Sequence, residues 1–145
     1  MIRTALIAAT SLAVLLAAGA ASAGEVTVTL TGVQARGGSM LVSLQSRDQF
    51  MQRAMTAGTV RENPAAGTLT LTLPNVPEGE YALSALHDAD GNWTMTMDGQ
   101  RPGEGWAMSR VGAELNRRPT FADAVVRVPA QGATITAAMV YPASR

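Results

Sequence analysis

The chain of 145 residues contains no cysteine and no lysine, and it has one histidine and six aromatic residues. Without cysteine the protein must fold without disulfides, and neither a thiolate zinc centre nor a cysteine-linked lipid anchor can form. Without lysine, Schiff-base chemistry and lysine general bases are excluded. A single histidine also excludes zinc sites that need two or three imidazoles. Candidate chemistry therefore rests on carboxylates, hydroxyls and methionine thioethers.

The N-terminal segment predicts a cleaved signal helix over residues 1–23. Arg3 gives a positive start, residues 5–18 are almost wholly apolar, and the small residues Ala21, Ser22 and Ala23 form a cleavage site. The alternative is an uncleaved anchor, because residues 4–23 match the roughly 20 residues that span a bilayer. We expect cleavage, a mature domain of residues 24–145, and a periplasmic or secreted protein that is not a lipoprotein.

Neither sign of charge is in excess. Loss of Arg3 with the signal segment leaves ten arginines against eleven acidic residues, a net charge of about −1. A chain without basic excess is not expected to bind nucleic acid or an anionic membrane surface. We also expect no membrane insertion after signal cleavage. A protein, peptide or glycan of the cell envelope is the expected partner.

Alternation of apolar and polar residues predicts an all-β fold. The alternation is clear at 26–31, 68–73 and 133–141, and the segments 40–45, 81–87 and 124–128 complete six predicted strands. A weaker seventh strand is predicted at 93–97. Glycine and proline between the segments favour a single antiparallel β-sandwich of about seven strands, immunoglobulin-like or prealbumin-like.

One short helix is predicted directly after the segment 40–45. Ser46 and Gln49 have the spacing of a capping box, and Gly58 can end the helix. Its apolar stripe consists of Phe50, Met51, Ala54 and Met55. We expect this helix to close one end of the sandwich.

An acidic loop follows the segment 81–87. Asp88, Asp90 and Asn92 are spaced two residues apart. In a curved loop this spacing can turn their side-chain oxygens toward one hard cation such as Ca²⁺. The EF-hand template fails, because Trp93 stands where it requires glycine and Gly99 where it requires a bidentate acid. The alternative is a plain turn, since Asp-Gly is a preferred hairpin dipeptide.

Neighbouring residues complete the predicted site. Asp98 or Glu104 could add oxygens, and His87 could ligate a metal or shuttle a proton. Trp93 and Trp106 would suit a flat platform for a sugar or peptide. The predicted metal set is Asp88, Asp90, Asn92 and Asp98, with Ca²⁺ as the possible ion. The predicted ligand-binding set is His87, Trp93, Glu104 and Trp106.

The sequence favours a non-catalytic binding or accessory module that uses this loop. No serine lies in a nucleophile elbow, so catalysis is not expected. Three alternatives remain: a Ca²⁺-stabilised module, a hydrolase that uses the loop carboxylates, and a periplasmic copper-binding protein. The copper set would be His87, Met95, Met97 and Met108. Methionines at strand spacing are also typical of core filling.

Five segments stand in a specific order and spacing. They are 26–32, the turn and strand 73–83, His87-Asp88-x-Asp90-Gly91-Asn92, Pro102-x-Glu104-Gly105-Trp106, and Pro119-Thr120-Phe121-x-Asp123-Ala124. On these segments nearly the whole mature chain resembles the secreted bacterial family catalogued as domain of unknown function 2141. The resemblance implies a prealbumin-like or carboxypeptidase-regulatory-like β-sandwich and no established activity. At Trp93 the chain departs from the family's loop, which usually continues with glycine and a later acid.

Overall fold

The computed structural model describes residues 22–143, which form two packed β-sheets and a small hairpin. The strands are β1 (Ala23–Val33), β2 (Ser39–Gln45), β3 (Ala57–Glu62), β4 (Gly67–Pro77), β5 (Gly79–Asp88), β6 (Met97–Asp98), β7 (Arg101–Pro102), β8 (Gly105–Met108), β9 (Val125–Val128) and β10 (Gly132–Ala138). A 3₁₀ helix lies at Arg47–Gln49, and the helix α1 covers Phe121–Ala124.

The first sheet has the strand order β10-β1-β4. Strand β1 runs antiparallel to β4 and parallel to β10. Its inner face carries valines and leucines, such as Val28 paired with Leu71 and Ile135, whereas threonines cover the outer face. The alternation in the sequence therefore assigns the two faces correctly.

The second sheet has the order β3-β2-β5, and β8 and β9 share the far edge of β5. Its inner face packs on the first sheet through residues such as Met40, Leu44 and Leu83, which are fully buried. A smaller cluster lies at the β9 end of the same sheet. That cluster consists of Ala82, Met108, Val111, Phe121 and Ala124. This cluster covers part of the outer face of the sheet, and the rest of that face is available for a surface site.

The predicted all-β sandwich with one short helix is confirmed. All six main predicted segments contain strands, although Ala124 belongs to α1 and β10 ends at Ala138. The pairing of β1 with β10 is parallel, which alternation within a strand does not specify. The predicted strand at 93–97 is wrong, because only Met97 of that segment is in a strand and Trp93 has a positive φ of 61°. Strands β3, β7 and β8 were not predicted.

The predicted helix after β2 is also different. Only Arg47–Gln49 is helical, and it is a single 3₁₀ turn. The capping interaction is present, since the Ser46 N–H donates to Gln49 Oε1 at 3.1 Å. The chain then leaves the helix because the buried side chain of Gln45 binds the backbone of residues 51–54. The helix of this fold is instead α1.

The predicted signal segment lies almost wholly outside the described residues. Within residues 22–143, no helix has the length and apolar character needed to cross a membrane.

Candidate functional site

Asp88 ends β5 as a buried carboxylate, and the backbone of the following loop is wrapped around it. Its Oδ1 accepts hydrogen bonds from the N–H groups of Gly91 at 3.0 Å and Asn92 at 3.2 Å. Its Oδ2 accepts from the Trp93 N–H at 3.0 Å. Hydrogen bonds to an ionised acceptor are about twice as strong as neutral ones. Asp88 therefore fixes the path of the loop as far as Trp93.

Glu104 holds the two ends of the loop together. It is buried just before β8, where its Oε1 accepts from the Ala89 N–H at 3.1 Å. Its Oε2 accepts from the Thr96 N–H at 3.0 Å. One carboxylate thus joins the start of the loop, its far side and the strand that follows.

Asp90 is exposed at the outer turn of the loop. Its Oδ2 accepts from the Thr96 hydroxyl at 2.9 Å and from the Asn92 amide at 3.1 Å. The Thr96 hydroxyl is the main cause of the lowered pKa of Asp90, with the Asn92 N–H contributing further. Asn92 therefore joins the same network through both its backbone and its side chain.

One oxygen from each of Asp88, Asp90 and Glu104 lies within 4.8 Å of the others. This separation suits a shared Ca²⁺, whose oxygen ligands lie about 2.3–2.6 Å from the ion. Asp98 is not in this group and lies in the β6–β7 hairpin. The structure therefore brings Asp88 and Asp90 of the predicted metal set together and adds Glu104, which was assigned to ligand binding. Asn92 is adjacent, with its amide NH₂ on Asp90 and its Oδ1 accepting from the Thr94 N–H. The three carboxylates already accept backbone N–H groups, which gives them a structural role as well.

His87 lies on the inner face of β5 and is 1% exposed. Its Nε2 lies 2.8 Å from the Gly37 carbonyl, which can only accept, so Nε2–H donates to it. Its Nδ1 lies 2.8 Å from the Tyr141 hydroxyl. The same hydroxyl accepts from the Gln34 N–H at 3.1 Å, and burial raises the pKa of Tyr141. Both ring nitrogens thus tie the 34–37 turn to the C-terminal segment.

An open groove of about 2120 Å³ lies over the outer face of the five-stranded sheet. Its floor includes residues 41–43 of β2, 84–86 of β5 and 106–108 of β8. Alternate side chains of these segments face away from the core. One cross-strand row is Leu41, Leu86 and Trp106, and the next is Ser43, Ser84 and Met108. Loops at 51–55, 92–102 and 113–119 form its walls.

Exposed apolar side chains are concentrated in this groove. Among the described residues, the large hydrophobic ones that are exposed are Met51, Met55, Val60, Trp93 and Met97. All five line the groove, and Trp93 is 64% exposed. The groove therefore collects apolar surface from β3 and from two of its walls.

Two of these side chains stand on strained backbone. Met51 has a φ of 60° and Trp93 a φ of 61°, a region that glycine and asparagine adopt more easily. Met51 is held there because its N–H donates to Gln45 Oε1 at 3.3 Å, and Trp93 because its N–H donates to Asp88. Buried polar groups thus impose the positions of two exposed apolar residues.

The charge of the groove is of one sign. Its lining includes Arg53, Arg101, Arg117 and Arg118, and no aspartate or glutamate among the described residues. Arg117 donates to both oxygens of Asp123, a residue outside the lining, at 2.7 and 2.8 Å. This pair raises the pKa of Arg117 and holds the pKa of Asp123 well below its usual range, with Thr120 donors contributing to the latter. Besides Arg117, the lining contains three further arginines: Arg53, Arg101 and Arg118.

The predicted residues separate into two groups. Trp93 and Trp106 line the groove together, whereas His87 and Glu104 are buried outside its lining. Met95, Met97 and Met108 also line the groove, so the predicted copper set does not converge on the inward-facing His87. Sequence reasoning missed Met51, Met55, Val60, Arg53 and Arg101 as lining residues. The available indication was the number of methionines in segments that do not form regular elements.

The sequence matches one protein-family model, described as "Uncharacterized protein conserved in bacteria (DUF2141)", over residues 28–136. No curated protein and no solved structure matches the chain. The matched range includes the acidic loop, both tryptophans and all three walls of the groove. Because the match covers well over half of its length, this chain belongs to the DUF2141 family of bacterial proteins.

Proposed function

We propose that this protein is a non-catalytic binding module of the periplasm or extracellular space and that the groove is its binding surface. The observation that carries the proposal is that the five exposed large hydrophobic residues of the described part all line this groove. Exposed apolar residues are ordinary when scattered, but a contiguous patch is typical of a binding site. The location rests on the predicted signal segment at 1–23.

The acidic loop serves this function by positioning an aromatic side chain. Asp88 and Glu104 fix the backbone on both sides of Trp93. Trp93 and Trp106 then contribute to a wall and to the floor of the same groove. A rigid aromatic platform binds with little loss of side-chain entropy. The carboxylates are therefore assigned to the support of the site.

Titration with Nile red tests this proposal, because the dye is neutral and fluoresces in apolar surroundings. We expect saturable fluorescence with the mature protein and a loss of most of it in the double variant Trp93→Asn, Met97→Gln. The matched control is Thr70→Asn, Thr136→Gln, which changes two exposed residues on the opposite sheet. Equal fluorescence from both variants would rule out the groove as the binding surface.

A Ca²⁺-stabilised module is a second candidate, favoured by the convergence of Asp88, Asp90 and Glu104. At about 1 mM Ca²⁺ and a Kd of about 0.1 mM, binding to the folded state adds about 1.4 kcal/mol, or about 3–5 °C in melting temperature. We expect this shift to be lost in Asp90→Asn and kept in Asp98→Asn. Identical melting curves in EDTA and in Ca²⁺ would eliminate this candidate.

A further inference from the structure

We propose that the ligand of the groove is an acidic amphipathic segment of another polypeptide, an inference that rests on the proposed function. Such a segment would place its apolar side chains on Trp93, Trp106 and the methionines. Its carboxylates would lie along the rim beside Arg53, Arg101 and Arg118. The charge, the size and the composition of the groove each support this class of ligand.

The charge of the groove differs from that of the whole protein. The mature chain has a net charge of about −1, yet the groove lining has four arginines and no acidic residue among the described residues. Arg117 forms an ion pair with Asp123. The arginines that could pair with a ligand are therefore Arg53, Arg101 and Arg118. Complementary charge of this kind favours anionic partners and rejects cationic ones.

The size of the groove favours a polypeptide over a small molecule. Pockets for small ligands enclose about 300–1,000 Å³ and surround most of the ligand. This groove has about 2120 Å³, and its sheet floor and three loop walls leave it open to solvent. A chain segment can lie along such a groove while its polar side faces water.

The composition of the groove suits the variable side chains of a peptide. Five of its lining residues are methionines: Met51, Met55, Met95, Met97 and Met108. Methionine is flexible and polarizable, and it is common on surfaces that bind amphipathic peptides of differing sequence. Ser43 and Ser84 form a polar row across the floor and can bind a peptide backbone.

Competition with bound Nile red tests the ligand class separately from the groove. The probes are a synthetic amphipathic peptide with leucines on one face and glutamates on the other, the same peptide with lysine for every glutamate, and hexadecanoate. We expect the glutamate peptide to displace the dye at a concentration at least about tenfold lower than the lysine peptide requires. Equal displacement by the two peptides, or displacement by hexadecanoate alone, would overturn this inference.

Arginine variants test whether the positive charge that binds the glutamate peptide lies in the groove. Arg53→Gln with Arg118→Gln removes two rim charges, and we expect binding of the glutamate peptide to weaken about fivefold, as for two exposed ion pairs. Arg61→Gln with Arg127→Gln removes two exposed arginines outside the groove and should leave affinity unchanged. Equal losses in the two variants would contradict the inference. If Nile red binds the groove but the glutamate peptide does not displace it, the ligand class is wrong and the binding module stands.

Discussion

At the residue scale, Trp93 has a conformation that stability alone would not select. A left-handed backbone costs an L-residue with a Cβ about 1–2 kcal/mol, and the indole is 64% exposed, so little burial offsets this cost. Bulky side chains on strained backbone are concentrated at functional sites. Met51 repeats the combination on another wall of the groove. We infer that binding determines the residue type at both positions.

Replacement of Trp93 should separate stability from binding. We expect Trp93→Asn to stabilise the protein by about 1 kcal/mol, which is about 3–5 °C in melting temperature, because asparagine tolerates positive φ. The same variant should lose most Nile red binding. Thermal melts and dye titration measure the two effects, with Trp93→Tyr as the variant that keeps the aromatic surface. A clear drop in melting temperature for Trp93→Asn would contradict the strain argument.

At the element scale, the sequence predicted those strands that have one face in the core and the other exposed to water. Segments such as 26–31 and 68–73 alternate because one face is in the core. Strand β3 is an edge strand with mostly exposed residues, so it shows no such pattern. The helix expected near Phe50 fails because Gln45 Nε2 donates to the carbonyls of Gln52 and Ala54, at 2.7 and 2.9 Å. The periodicity of apolar residues cannot predict a side-chain-to-backbone contact of this kind.

The acidic loop illustrates the same limit. Its turn residues were recognisable, and the alternative of a plain turn is close to the observed geometry. The strand predicted at 93–97 is wrong because Asp88 captures three successive N–H groups and turns the chain at Trp93. Glu104 closes the loop from 15 residues beyond Ala89. The role of Glu104 could be identified only from tertiary structure.

Loss of the Asp88 charge should destabilise this loop. In Asp88→Asn, either the Trp93 N–H or the pair from Gly91 and Asn92 must face an amide NH₂ in place of an acceptor. We expect a cost of about 2 kcal/mol or more, since a buried donor loses its partner. Urea denaturation in EDTA measures it without any metal contribution. Glu62→Gln, on the exposed edge strand β3, is the control, and equal stabilities of the two variants would refute the assigned role.

The Arg117–Asp123 pair makes the α1 end of the groove sensitive to pH. The pKa of Asp123 is lowered on folding, so its contribution is present above the unfolded pKa of about 3.9 and is lost as pH falls toward the folded value. The difference in melting temperature between the wild type and Asp123→Asn should therefore be largest near about pH 7 and shrink below about pH 4. Arg117→Gln should show the same trend. A difference that stays constant down to about pH 3 would contradict this assignment.

At the scale of the whole molecule, the outer faces of the two sheets differ in composition. The three-stranded sheet exposes threonines, whereas the outer face of the five-stranded sheet lines a groove with leucines, Trp106 and the largely buried Met108. The sequence predicted that Trp93 and Trp106 lie at one site. It could not predict the groove, because cross-strand register builds the floor and three loops distant in sequence build the walls. Only the folded chain brings Met51, Trp93 and Arg118 to one surface.

Methionine methyl NMR tests most directly whether this groove is the binding surface. Residues 24–145 contain seven methionines: five line the groove, while Met40 and Met139 lie in the core and serve as internal controls. With decyl maltoside, a neutral amphiphile kept below its micelle concentration, we predict shifts of the groove signals, Met51, Met55, Met95, Met97 and Met108, and unchanged signals from the other two. Unchanged groove signals under saturating amphiphile, or shifts of Met40 and Met139 alone, would contradict the account.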